Sequence, residues 1–332
     1  MKMPILSICI ATYNRAKFIG ETLENIIPQL TDAVEIVIVD GASTDNTQKV
    51  VHDYIQRSAR IRYVLLPANG GVDHDYNQVV ELAQGEYCWL LTDDDLLKPD
   101  AISTVLTEIP KGYSLIVVNA QVMNKDLSKV LQDKLIPIDA NERYDGSKLE
   151  QLFQRVIPYI SFIGCVVINR ALWMQREKTQ YFGTEFIHVG VIFQTPLPTP
   201  ALIIAEPYSS IRYGNAQWTS RAFEIWMFKW PKLLYSLTSI SEKTRQKHQM
   251  TNPLRLMKII VYRALGAYSL KEYQKWFMPK GSFLSWKFVA WIIAILPVSF
   301  VNLVVLSLLK MIKKQPLFIY DLENSENNYK NS

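Results

Sequence analysis

The run Tyr87-Cys88-Trp89-Leu90-Leu91-Thr92-Asp93-Asp94-Asp95 constrains this chain more than any other segment. An apolar strand delivers three carboxylates to its C-terminal end, where an open α/β sheet presents its ligand site. Hard oxygen donors on one turn suit Mg²⁺ or Mn²⁺, and both ions complete their coordination with phosphate oxygens. The same run also reads as a solvated acidic turn capping the next helix, since Asp is a good N-cap and Pro99 suits an early helical position. The rest of the N-terminal half decides between the two.

That half alternates strand and helix. Apolar runs at residues 5–11, 35–39, 61–66 and 87–91 predict strands, and helical periods at 16–30, 45–58 and 75–83 separate them. Continuous apolar strands alternating with helices mean a mostly parallel sheet covered by helices on both faces. Beyond the acidic run, residues 101–108 and 149–156 predict helices, and 114–119 and 162–168 strands. Residues 122–144 read as an irregular excursion, 193–205 are proline-rich, and 206–213 close the first domain.

Charge is unevenly spread. The net charge is +5, yet residues 212–314 hold 17 Lys and Arg against three acids, so the remainder is net acidic. No nucleic-acid-binding motif accompanies the basic stretch, which leaves an anionic membrane surface as its expected partner. Residues 288–309 carry no charge and are interrupted only by Pro297 and Asn302, with Lys287 before them and Lys310, Lys313 and Lys314 after. That length suits a single bilayer span or an interfacial hairpin bent at Pro297, and a core helix of the soluble domain fits less well because the stretch is apolar all round. The tail 322–332 is rich in Asn, Glu and Ser and is expected to be disordered. The expected organisation is therefore 1–213, a basic helical region 214–321, and the tail. Cys9, Cys88 and Cys165 sit in apolar runs without zinc-like spacing, so they read as buried thiols in a reducing compartment. With no signal-peptide pattern at the N-terminus, the first domain is expected on the cytoplasmic side of the inner membrane.

Four segments together resemble family 2 glycosyltransferases of the GT-A fold, most of all the abequosyltransferase-like enzymes of bacterial surface-polysaccharide assembly. They are Ser7 to Arg15, Val37 to Asp45, Asn69-Gly70-Gly71, and Gly85 to Asp95. The resemblance implies an inverting, metal-dependent transfer of a sugar from a nucleoside-diphosphate donor. The expected acceptor is a polyprenyl-diphosphate-linked oligosaccharide of O-antigen or capsule, and the cofactor Mn²⁺ or Mg²⁺. It also implies nucleotide binding by the backbone of Ala11, Thr12 and Tyr13, and a base contact from Asp40, whose other reading is a turn residue before Gly41. Asn69 and Gly71 count among the donor-binding residues, Gly70-Gly71 allowing either close backbone approach to the ligand or a φ > 0 turn, and Asp73 and Asn77 line the donor pocket. Asp93 takes the ribose, Asp94 the metal, and Asp95 caps the following turn; Thr92 stands where the family commonly has the first Asp. A general base must also exist. The usual acidic pair at a helix start is replaced here by Glu185 and His188, three apart and expected on one helical face, with Glu185 the base and His188 its partner or substitute, the other reading of the lone His being a structural hydrogen-bonder.

Two rivals remain. A sugar nucleotidyltransferase would want a Gly-rich, basic first loop, whereas the chain has Ala11-Thr12-Tyr13-Asn14-Arg15. A non-catalytic sugar-nucleotide-binding or membrane-assembly subunit fits the Thr92 substitution and the missing acidic pair.

Overall fold

The computed structural model describes residues 3–248, 256–278, 285–312 and 316–329. Two compact units emerge, one of Met1–Arg212 with Tyr235–His248 and one of Tyr213–Leu234 with Gln249–Ser332. The first is built on a sheet. Its strands are β1 (Leu6–Thr12), β2 (Val34–Asp40), β3 (Ile61–Leu65), β4 (Tyr87–Leu91), β5 (Leu96–Leu97), β6 (Leu115–Met123), β7 (Val130–Gln132), β8 (Glu142–Tyr144), β9 (Val166–Asn169) and β10 (Ala201–Arg212). Across the sheet they run β3-β2-β1-β4-β9-β6-β10-β5, with β7 on β6 and β8 on β10.

The sheet is mixed rather than mostly parallel. β3, β2, β1 and β4 are parallel, but β9 runs antiparallel to both β4 and β6. A strand covered on both faces has the same continuous apolar pattern in either direction, so its sense is not written in its composition. The excursion at 122–144 also contains two short strands, β7 and β8. In the parallel half, Ile10 pairs with Leu91 and Thr12 with Asp40, so the ends of β1, β2 and β4 meet at one edge.

Helices α1 (Ile19–Ile26), α2 (Thr47–Ile55), α3 (Val72–Leu82), α4 (Ala101–Glu108), α5 (Leu149–Val156), α6 (Arg170–Gln175) and α7 (Ile187–Phe193) belong to this unit, as does a later helix, Glu242–His248. Alternate strand residues such as Ile8, Ile36, Trp89 and Leu91 pack with Leu23, Ile102 and Val105 of α1 and α4 in a fully buried core. Polar atoms entering it are paired: Trp89 Nε1 donates to Gly164 O at 2.9 Å and Tyr87 Oη to Tyr113 O at 2.6 Å. The three cysteines are buried and free. Helix α3 starts at Val72, three residues ahead of the expected 75, because Gly71 takes φ +87° and ends the preceding turn there. Segment Tyr235–His248 belongs to this unit, not to the basic region expected from 214. Ser239 Oγ donates to Phe193 O, and Ser241 and Thr244 hydroxyls donate to Glu150.

The second unit is helical. Phe223 packs against Tyr262, Tyr268 and Phe277. The uncharged stretch forms two helices, Ser285–Ile295 and Val298–Ile312, bent by 104° at Pro297. No single helix among the described residues is long and apolar enough to cross a membrane, although this bent pair passes by length and composition together. Arg263 Nε donates to Leu296 O at 2.8 Å, satisfying a carbonyl at the break. Asn302, the polar interruption, donates its amide to Ala264 O at 3.1 Å and Leu322 O at 2.9 Å, tying three helices together. Part of the tail expected to be disordered falls in a helix, Pro316–Tyr329. Leu322 is buried and Tyr213 Oη donates to Asp321 at 2.7 Å, anchors that overall polarity conceals. Residues 330–332 lie outside the described residues.

Candidate active site

The acidic run is buried, not solvated. Asp93, Asp94 and Asp95 are 7%, 6% and 2% exposed. Buried carboxylates need partners, and arginines from both ends of the unit supply them. Arg15 Nε lies 3.1 Å from Asp93 Oδ1 and its Nη2 2.9 Å from Asp94 Oδ2. Arg212, the last residue of β10, donates its backbone N–H to Asp95 Oδ1 at 2.7 Å and its Nε to Asp94 O at 2.9 Å. Thr92 Oγ1 donates to Asp95 Oδ2, so the threonine at the unusual position serves the third aspartate. Asp95 is therefore a tie between β4 and β10 rather than a cap on the following turn. Burial pushes Asp93 up to about 7, with the Asp94 charge adding and Arg15 opposing. Burial and Asp94 also push Asp95 up.

Neither arginine carries a role in the sequence reading. Arg15 was visible as the end of the first motif, but its partners lie 78 and 79 residues away. Nothing local marks Arg212.

Residues expected on the nucleotide side lie at the same strand ends. Asn14 takes φ +54° and its side-chain oxygen accepts from Thr44 N at 2.7 Å, while Ser43 Oγ accepts from Asn14 N at 2.8 Å. These bonds lock the exits of β1 and β2 together, fixing the backbone of Ala11, Thr12 and Tyr13. Asp40 is fully buried, accepting from Ser43 N at 2.7 Å and from Tyr63 Oη at 2.8 Å. It thus performs the turn role, and a base contact would use a lone pair left on these oxygens. Asn69 Oδ1 accepts from Gly71 N at 2.8 Å, shaping the turn into α3. Asn77 is tied elsewhere, accepting from Trp173 Nε1 at 3.2 Å and donating to Glu81 at 2.7 Å.

Asp73 is not in a loop but in the first turn of α3, 4% exposed. Its oxygens accept from Glu185 N at 2.8 Å and Ile187 N at 2.9 Å. Glu185 and His188 do not share a helical face: α7 begins at Ile187, and Glu185 precedes it at φ +72°. His188 is 1% exposed, its Nε2 lies 2.7 Å from Ile160 O, and burial pushes its pKa down to about 4. A carbonyl only accepts, so Nε2 carries the proton and the ring is neutral. His188 is built into the core and does not stand beside Glu185 as a base.

No group of three or more His, Cys, Asp or Glu side chains among the described residues is placed to hold a metal. The donor chemistry of two residues fits one: the buried carboxylates of Asp93 and Asp94 share one strand end and are the hard oxygen donors such an ion takes, with Arg15 bonded to one oxygen of each.

Residues 7–173 match the family described as glycosyl transferase family 2. The chain belongs to this family. Among its relatives, the abequosyltransferase RfbV of Salmonella typhimurium is 26% identical over 208 residues, covering 58% of this chain and 62% of that protein. The chondroitin synthase of Escherichia coli is 33% identical over 125 residues, covering 38% of this chain and 18% of that one. The chain thus spans less than two thirds of either relative. The crystal structure of S. aureus TarS 1–349 in complex with UDP superposes with a TM-score of 0.59 at 17% identity, covering 98% of this chain and 88% of that one. That likeness shows the fold: a GT-A-like α/β unit with a mixed sheet, followed by helices. Glycosyl transferase family 2 members are commonly dependent on a divalent metal.

Proposed function

We propose that the chain is an inverting, metal-dependent glycosyltransferase of bacterial surface-polysaccharide assembly. It moves one sugar from a nucleoside-diphosphate donor to a polyprenyl-diphosphate-linked oligosaccharide such as an O-antigen or capsule precursor. The observation that carries this reading is the buried carboxylate run at the β4 end, clamped by Arg15 and Arg212 beside the Asp40 turn, within the stretch that matches the family. S. aureus TarS 1–349 forms complexes with UDP and with UDP-GlcNAc, and one relative is an abequosyltransferase, which supports a sugar-nucleotide donor and this pathway class.

Asp94 would hold Mn²⁺ or Mg²⁺, and the ion would neutralise charge growing on the leaving diphosphate. The chain's own residues do the rest. The turn at Asp40 and the locked backbone of Ala11 to Tyr13 receive the nucleoside, and Asp93 takes the ribose. Asn69 and Gly71 form the wall at the start of α3. Glu185 takes the proton from the acceptor hydroxyl as that oxygen attacks the anomeric carbon from the face opposite the diphosphate.

The second unit supports a lipid-surface partner. Phe288, Trp291 and Ile295 on one limb of the bent pair, and Phe300, Leu303, Leu308 and Met311 on the other, are exposed. At about 1.5 Å per residue, limbs of 11 and 15 residues are each shorter than the ~30 Å hydrocarbon core. The reading is an interfacial wedge at the cytoplasmic face, with the basic stretch on anionic headgroups.

The test is a screen of UDP-, CDP-, GDP- and dTDP-sugars for hydrolysis with Mn²⁺ and with EDTA. Metal-dependent turnover of one donor supports the enzyme. Binding of a donor without turnover would favour the non-catalytic subunit, a reading helped by the Arg15 clamp over both Asp93 and Asp94.

A further inference from the structure

We propose that Asp73 is the positioning residue of Glu185, so that the turn bounding the donor side and the loop bearing the base form one device. The inference rests on Glu185 being the base of the reading above.

Glu185 lies at φ +72°, a left-handed backbone that residues other than Gly, Asn and Asp adopt at a penalty. Such a residue persists only where its surroundings over-determine it. Here the restraint is visible. One carboxylate, 112 residues earlier in the chain, accepts the N–H groups of both Glu185 and Ile187, at 2.8 and 2.9 Å. Charge-assisted bonds of this kind are roughly twice as strong as neutral ones. The residue between, Phe186, donates its N–H to Thr184 Oγ1 at 3.2 Å, and Thr184 Oγ1 in turn donates to Tyr181 O at 2.7 Å. The Tyr181 ring closes the far side so tightly that a Cβ on Gly190 would stand 2.4 Å from it. Relaxing Glu185 to an ordinary φ would turn the chain that follows it, and with it the Ile187 N–H that Asp73 holds.

Asp73 also sits two residues after Gly71, whose left-handed turn is shaped by Asn69. The first turn of α3 thus touches the donor-side turn through its backbone and the base loop through its carboxylate. A plain helix cap would affect stability alone. A positioning residue acts through Glu185, and its effect disappears when Glu185 can no longer act.

The test uses the full chain. Amide exchange at Glu185 and Ile187 should be slow in the wild type, and Asp73→Asn should speed it at least about tenfold while β4 stays protected. Fast exchange at both amides in the wild type overturns the proposal without any variant. On the donor turned over in the UDP-, CDP-, GDP- and dTDP-sugar panel, Asp73→Asn should lower kcat by about tenfold or more, the scale of a displaced catalytic group. Donor KM should stay within about twofold. The double variant Asp73→Asn/Glu185→Gln should be no slower than Glu185→Gln. A multiplicative double variant, or a loss in donor KM instead of kcat, refutes positioning. If Glu185→Gln is as fast as the wild type, the base assignment itself fails. If Glu185→Gln is slow and Asp73→Asn normal, only the present inference fails. Should Asp73→Asn not fold, Glu185→Gly decides: glycine bears no left-handed penalty, so Tm should hold or rise, and a clear fall would show that Glu185 is not strained there.

Discussion

His188 offers a sharp test, because its environment sets both a sign and a size. The ring is sealed in the first unit, Nε2–H donates to Ile160 O, and Nδ1 has no partner among the described residues. Protonating Nδ1 would place a charge where nothing accepts it, which is why burial pushes the pKa from 6.5 down to about 4. Between those values the unfolded chain binds a proton that the folded chain refuses, so stability rises with pH across that window. At pH 7 the penalty is absent; below about pH 4 it is fully present and amounts to roughly 3 kcal/mol. His188→Gln keeps an N–H donor for Ile160 O and removes the titration. Urea unfolding of both proteins at pH 7, 5 and 4 measures the difference. The wild type should lose about 3 kcal/mol more than His188→Gln on going from pH 7 to 4. Parallel acid losses in the two proteins would mean that the ring is reachable by water or by a carboxylate, and its exclusion from catalysis would fall with that result. The same reasoning expects His188→Gln to retain most of its kcat.

Other outcomes follow from the same contacts. Asp94→Ala should leave the fold intact and lower transfer by more than about a hundredfold, the scale of a main electrostatic stabiliser; near-normal turnover by folded protein would remove the metal assignment. Gly190→Ala should cost about 1–3 kcal/mol of stability, since its Cβ would meet the buried Tyr181 ring at 2.4 Å, and chemical denaturation reads this directly. Trp291→Glu with Phe300→Glu should weaken flotation with anionic liposomes while sparing donor hydrolysis, and unchanged flotation would exclude the bent pair as the lipid-facing surface.

Much of the first unit is legible in sequence because its information is local. Strands β1, β2 and β4 are unbroken apolar runs, and each ends in a polar motif that falls at the shared edge. Strands β5, β7 and β8 are two or three residues long and lie off the central half, where no period can develop. The site divides in the same way. The Asp93–Asp95 run and Asp40 announce themselves, but their partners do not. Arg15, Arg212 and the Asp73–Glu185 link depend on pairings across roughly 80 to 120 residues, which leave no pattern in either segment. His188 misleads for a related reason: three residues after a glutamate is a helical neighbour only if the helix has begun, and here it begins at Ile187.

The bond from Arg212 N to Asp95 Oδ1 has a consequence for biosynthesis. The parallel strands and the acidic run leave the ribosome early, but the residue that completes the carboxylate turn follows 117 positions later. At about 5–20 residues per second, that turn waits roughly 6–23 s with a member of its hydrogen-bond set still unmade. A nascent chain stalled before β10 would hold three crowded aspartates against one arginine, and protonation or a captured divalent cation would steady it. The last strand of the sheet therefore acts as a completion signal, since the site becomes whole only when the entire sheet has been synthesised.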